Sequence, residues 1–543
     1  MSLTHARPPG AHTRPPADHS GKSAHTSLQS VASSAAGRQP ALTPASAPEP
    51  SGPSSERPYA HRDRAIDLVR FACLVVVVVL HSMMSTAVLG PEGQLVPTMA
   101  LAQTTGFAIA SWLFQIMPLY FVIGGYAGLK GWRRAQRRGD DWRNYLRARL
   151  QRLVIPVLIL VAFAGLGLFL ASWIGAPHEL LAEASMRIGQ PLWFIAVYVG
   201  LTSLVPAAAH LHEKAPRRTV AVLVAAVFSV DALVEVTGVT GLGYLNFALV
   251  WPLVQQCGFF FADAAERPLR RGRIWTLVLL ALVGLGVLVS TGVYSPNMLI
   301  NLNPPTGALV LLGLVQTGLL RLGHDRLTRM VHGGAPTAPG TAQRARLWGR
   351  IITWGNAHGI QVYLWHMPVV IALIGLFGAV ATLGSNVWPG GMDLASLVLP
   401  ATESPLWWFE RLPWLIAVMG LAALLAMGMS QVERFATGRR GLLSEERVGT
   451  VRADSIIPAW ARWSAGTRGF AAVASAIGGI VIALLIGIAP LIWTIVSVGL
   501  LLLSLILTAG VRTAAAPAAE EGRGSGLCRH GIMTHRRVRH DES

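Results

Sequence analysis

Arg70 and His81 stand eleven residues apart in the stretch RAIDLVRFACLVVVVVLHSMM, with Asp67 three residues before Arg70. A helix turns about 100° per residue, so eleven residues close about three turns with a drift of only ~20°. The spacing therefore predicts one polar face carrying Asp67, Arg70 and His81, with Arg70 and His81 about 16 Å apart along the axis. Ionisable groups in an apolar helix are costly and mark a functional path by default. A neutral imidazole in such a setting takes a proton from a hydroxyl or accepts an acyl group as a nucleophile. The bland alternative is an interhelical polar contact plus an arginine that snorkels to the helix entrance.

Three further constellations carry chemistry. Arg149 and Arg152 are three residues apart in RARLQRLVIP, so they project from one helical face, and a guanidinium pair suits phosphate or pyrophosphate. The same pair also fits plain topological charge. The segment YLWHMP supplies Tyr363 and a second intramembrane histidine, His366, with His358 two turns before it; catalysis and hydrogen-bonded packing both fit. QPLWFIAVY places Trp193 and Phe194 at a span end, where an aromatic belt is the expected reading. In PLYFVIGGYAGLKGWRR, Gly124 and Gly125 precede Tyr126, and paired glycines permit close helix contact.

The elements that position these residues are membrane spans. Apolar residues make up 52 % of the 543-residue chain and charged ones 13 %, which excludes an ordinary soluble domain. The formal charge of +18 does not point to nucleic acid, because the basic residues fall in short loops between apolar runs. Hydrophobicity and length place spans at Ile66–Leu89, Phe107–Leu129, Leu153–Ile174, Leu192–Ala209, Val220–Val236, Leu242–Phe261, Ile274–Val293, Thr306–Leu322, Gly359–Leu383 and Trp414–Gln431. Phe470–Leu507 is long enough to cross twice, with Pro490 at the turn. Span five carries Asp231 and Glu235, the least membrane-like feature of the set. Arg-rich and Arg-poor loops alternate along the whole series, which predicts an even number of crossings with both termini in the cytoplasm.

The expected fold is all-α: a polytopic transmembrane helix bundle with a ten-helix core plus a C-terminal transmembrane hairpin. Its divisions are a disordered tail over 1–62, a core over 63–432, a basic connector over 433–468, the hairpin over 469–511 and a basic tail over 512–543. Cleavable leader features are missing before the first span, which reads as a signal anchor. Cys73, Cys257 and Cys528 form neither a disulfide framework nor a metal set. Lys22, Lys130 and Lys214 are the only lysines beside many arginines, and with abundant Ala, Gly and Val this fits a GC-rich bacterial genome.

RAIDLVR with Arg70 and His81, PLYFVIGGY, RARLQRLVIP, PLWFIAVY and YLWHMP, in that order, resemble the acyltransferase-3 family of bacterial integral-membrane acyltransferases. The resemblance covers roughly Arg64 to Gln431. It implies transfer of an acyl group, often acetyl, from cytoplasmic acyl-coenzyme A to a hydroxyl of a sugar, glycan or lipid-linked acceptor on the outer side of the cytoplasmic membrane. By the same resemblance His81 looks like the catalytic base or acyl carrier, and Arg70, Arg149 and Arg152 look like donor-handling residues. No permanently bound cofactor, metal or nucleic-acid partner is expected; acyl-CoA is a substrate and the bilayer is the surrounding partner. Many members have a serine before the Gly-aromatic pair, where this chain has Gly124. The rival class is a proton-coupled transporter or exporter using His81, His366 and Arg70 as a relay; a third reading is a non-catalytic membrane scaffold.

Overall fold

A computed structural model describes residues 63–90, 94–101, 104–266, 268–333, 340–384, 394–438 and 463–508. The tails expected over 1–62 and 512–543, and most of the connector, lie outside the described residues. Twelve helical segments among the described residues are long and apolar enough to cross a membrane. The chain is a multi-pass membrane protein, and its described residues form helices apart from one small hairpin of strands.

The first helix, α1 (Arg64–Met84), starts where Asp63 accepts hydrogen bonds from the amides of Ala65 and Ile66, at 3.1 and 3.2 Å. It ends five residues short of the expected Leu89. Ser85–Leu89 instead forms β1, antiparallel to β2 (Leu95–Met99), with Ser85 opposite Met99 and Leu89 opposite Leu95. The β-branched residues Thr86 and Val88 and the following GPEG explain the change of period.

The second expected span is broken into α2 (Thr105–Phe114) and α3 (Met117–Arg137). Pro118 is favoured in the first turn of a helix, and it stands there in α3, where the chain restarts. α4 (Trp142–Trp173) follows, capped by Asp141. The loop expected over 175–190 contains α5 (His178–Gly189). α6 (Leu192–Lys214) and α7 (Pro216–Thr237) come next. The sixth span begins as a 3₁₀ stretch over Thr240–Ala248 and continues as α8 (Val250–Asp263). α9 (Arg271–Ser290) and α10 (Gly307–Val331) complete the middle of the chain. α11 (Thr341–Gly384) begins eighteen residues before the expected start of span nine and runs for 44 residues. The short α12 (Leu394–Val398) and the long α13 (Pro405–Thr437) follow. α14 (Ala465–Leu485) and α15 (Leu491–Thr508) form a hairpin packed on α4 and α6.

Asp231 does not argue against α7 as a span. Its carboxylate accepts from the Tyr294 hydroxyl at 2.6 Å, the Asn246 amide at 2.7 Å and the Gly307 backbone at 2.8 Å, so a half-buried acid is well supplied with donors. On α9, Leu277, Leu280 and Val283 point outward, exposed, as lipid contact requires. Small residues let helices touch inside. A Cβ on Gly258 would lie 2.1 Å from the Val122 carbonyl oxygen, and one on Gly125 would lie 2.3 Å from that of Gln255. The backbones of α3 and α8 are therefore in direct contact, as small-residue packing in membranes allows.

Candidate active site

His81 and His366 meet in the interior. Nδ1 of His81 lies 2.8 Å from Nε2 of His366, and their ring planes differ by 4°. His366 is fully buried, and its Nδ1 contacts the Tyr363 carbonyl oxygen one turn earlier on α11. That oxygen can only accept, so His366 Nδ1 carries hydrogen and its neutral ring presents a bare Nε2. His81 must then donate from Nδ1, which leaves the Nε2 lone pair of neutral His81 available as a base. Pro368, two residues on, removes the amide hydrogen that the Leu364 carbonyl would otherwise receive and loosens the helix ladder beside His366.

The other end of the predicted face also pairs across to α11. The Arg70 guanidinium donates to the Asn356 side-chain oxygen and lies 3.5 Å from Asp67. Contacts at 70 with 356 and at 81 with 366 show that α1 and α11 run parallel, as two polar rungs of one ladder. Asp67, Arg70 and His81 thus share the face that the spacing predicts.

Around the Arg70 end, α1, α3, α4 and α10 bring polar groups together. Tyr120 on α3 lies within electrostatic reach of both Arg70 and Arg152. Arg149 stands 5.0 Å from the Tyr145 ring centroid, in cation–π range, and backs onto Gly131. Tyr126 does not face open space. Its hydroxyl donates to Asp63 at 3.2 Å and receives the Lys130 ammonium at 2.8 Å, while His324 donates to the same Asp63 oxygen at 2.8 Å. Burial alone would raise the Asp63 carboxyl; hydrogen bonding and charge from His324, with the Ile66 amide and Tyr126, outweigh it and hold the group below the usual carboxylate range.

Two aromatic expectations change. Phe194 is 4 % exposed and stacks on Tyr198, so it is a core residue and not part of a belt. Trp193 packs against Phe247 and Trp251. The Tyr363 hydroxyl donates to the Pro191 carbonyl at 2.7 Å, tying α11 to the start of α6; its backbone oxygen is the part that orients His366. At position 124, where the resemblance leads one to expect a serine, a Cβ would lie 2.9 Å from the Tyr198 ring. Asn356, Asp63, His324 and Tyr120 were not singled out by sequence reasoning. The only signal for Asn356 is a polar GNAH run just before an apolar stretch.

A family model described as an acyltransferase domain matches residues 63–430. Neither curated proteins nor solved structures give a match. The matched range contains both histidines and all the arginines named above.

Proposed function

Because the chain belongs to the acyltransferase-3 family, we propose that this membrane acyltransferase moves an acyl group, first of all acetyl, from acyl-CoA to a hydroxyl of a sugar, glycan or lipid-linked acceptor. The observation that carries the reading is the hydrogen-bonded pair His81–His366, set about 16 Å along one helix from Arg70. Arg149 and Arg152 would take the phosphates of the donor, with Arg70 between them and the histidines. The alternation of Arg-rich and Arg-poor loops supports a cytoplasmic donor side and an outer acceptor side in a bacterial inner membrane, with both termini cytoplasmic.

The chemistry follows from the tautomers. His81 Nε2 takes the acceptor's hydroxyl proton as its oxygen attacks the thioester carbonyl carbon. The carbon–sulfur bond breaks, the thiolate leaves, and the imidazolium returns the proton to sulfur. The products are an ester and free coenzyme A. While His81 is positive, His366 Nε2 still accepts from its Nδ1–H and stabilises the charge.

The test is transfer of label from radioactive acetyl-CoA in membranes holding equal amounts of parent and His81→Ala protein, beside thermal stabilisation of the purified chain by acetyl-CoA. Label in extracted lipids and glycans that depends on His81, together with stabilisation, supports the proposal. A transporter would show neither.

A further inference from the structure

The C-terminal hairpin of α14 and α15 lies beyond residues 63–430, where the family model matches. Polar contacts at its turn join it to the core. Gly487 has φ +90°, a left-handed conformation that favours glycine, and the next two backbone amides meet α5. The hydroxyl oxygen of Ser185, a fully buried residue, accepts from the Ile488 amide at 2.6 Å and from the Ala489 amide at 3.1 Å. A Cβ on Gly487 would lie 2.6 Å from that same oxygen. The last residue of α5 is equally close to α14, since a Cβ on Gly189 would lie 2.6 Å from the Ala483 carbonyl oxygen. Thr494 on α15 donates to the Ile488 carbonyl at 2.8 Å, and a Cβ on Gly165 of α4 would strike its hydroxyl.

From α5 a short path leads to the histidines. α5 packs on α11 as well as on α4 and α14. Two residues after Gly189 comes Pro191, whose carbonyl receives the Tyr363 hydroxyl at 2.7 Å. The Tyr363 carbonyl sets the hydrogen on His366 Nδ1, and His366 Nε2 faces His81 Nδ1 at 2.8 Å. Pro368 leaves this stretch of α11 one ladder hydrogen bond short, so it relies on ties from outside more than an unbroken helix does. Without the Ser185 oxygen, the two turn amides would lose their acceptor in an apolar interior. The hairpin and α5 would then have to shift against each other to find new partners.

We propose that Ser185 is a positioning residue, and that the hairpin turn, through α5, Pro191 and Tyr363, holds the His81–His366 pair in its reactive alignment. The hairpin then supports catalysis and is more than an added anchor. A displacement of about 1 Å at a reacting group costs up to ~100-fold in rate, so the loss falls on turnover. Donor binding is spared, because Arg152 stands more than three turns before Gly165 on α4, about 20 Å away. The proposal rests on the acyltransferase reading for its rates, while the histidine tautomers report the link without it.

The test compares the full-length parent with Ser185→Ala, Gly487→Ala and the double variant. Ser185→Ala breaks the contact from the core side and Gly487→Ala from the hairpin side. Gly499→Ala on α15, whose added carbon meets nothing within 4 Å, is the control and should follow the parent. Each single variant should lower kcat for acetyl transfer about 10- to 100-fold, with KM for acetyl-CoA within about twofold of the parent. The kcat loss in the double variant should equal the larger single loss, because both changes break one contact. Nitrogen-15 NMR of histidine-labelled protein, with His366→Gln to identify the signals, should show His366 of the parent with hydrogen on Nδ1 and a bare Nε2. Both variants should show mixed tautomers. Ser185→Cys, whose sulfur accepts more weakly, should fall between parent and Ser185→Ala, and takes its place if that variant does not fold. The proposal is overturned if the variants melt earlier but keep the parent's kcat and tautomers, if KM rises while kcat holds, or if the kcat losses multiply in the double variant. A parent that transfers no acetyl, yet whose His366 tautomer depends on Ser185 and Gly487, would sink the acyltransferase reading and leave the link from hairpin to histidines standing.

Discussion

His81 Nδ1 and His366 Nε2 are 2.8 Å apart although 285 residues separate them in the chain. The contact fixes which nitrogen of a neutral His81 keeps its lone pair, the one a base would use, because the Tyr363 carbonyl fixes the hydrogen on His366 first. The two histidines therefore have different duties and should fail differently.

Replacing His81 with alanine should lower transfer by about 10²- to 10⁴-fold, the usual worth of a general base. His366→Leu should lower it by about 10- to 100-fold, the scale of losing a partner that orients a histidine. His366→Gln should recover part of that loss, since its amide oxygen can accept from His81 Nδ1–H. Transfer assays on membranes with matched protein levels decide it. His366→Gln behaving like His366→Leu would mean that His366 only fills space.

Arg149→Ala and Arg152→Ala should weaken acetyl-CoA binding more than acceptor binding. Losing a charge-assisted phosphate contact costs about 1.5–3 kcal/mol, or roughly one to two decades of affinity. Raising ionic strength should weaken donor binding by the parent in the same direction. Isothermal titration with acetyl-CoA is the measurement, and unchanged affinity in the double variant would leave these arginines a topological role only.

Gly258→Ala should destabilise the protein, because the added carbon would lie 2.1 Å from the Val122 carbonyl oxygen and 2.7 Å from the Tyr126 amide nitrogen. Both are backbone atoms, so a helix must move. Overpacking of this kind costs about 1–3 kcal/mol. Gly284→Ala, whose added carbon meets nothing within 4 Å, is the control. Comparable melting temperatures for the two variants would contradict the close α3–α8 approach.

Asp63 supplies a pH-dependent anchor between α1, α3 and α10. Its folded carboxyl is held below its unfolded value, so its contribution is complete above the unfolded value of about 4 and is lost as pH falls through the lower folded value. Asp63→Asn should therefore melt earlier than the parent at pH 7, and the gap should close in strongly acidic buffer. Melting curves from pH 7 down to about 3 check this. A gap that widens on acidification would reverse the assigned sign.

Much of this arrangement was legible before any coordinates. Apolar run length and the alternation of basic loops are one-dimensional signals, and they led to twelve crossings. The face shared by Asp67, Arg70 and His81 follows from helical period alone. What pairs with that face is a matter of tertiary contact, so Asn356 stayed hidden in a stretch that reads as the end of a polar loop. The hairpin of β1 and β2 was hidden for a different reason. Thr86, Ala87 and Val88 are apolar enough to prolong a span on hydropathy, and only their β preference and the turn that follows oppose it. Asp231 worked in the opposite direction: it counted against span five, which the structure nonetheless contains, and only its three donors show why the charge is tolerated there.

Tyr198 bears on how this chain can change over generations. Its ring fills the room that a side chain at position 124 would need, and Phe194, Tyr120 and Phe121 surround it. A serine introduced at 124 alone must push the Tyr198 ring aside, whereas the same serine beside a smaller residue at 198 need not. The two positions form one heritable unit. A residue larger than glycine at 124 therefore asks for an adjustment at 198 as well.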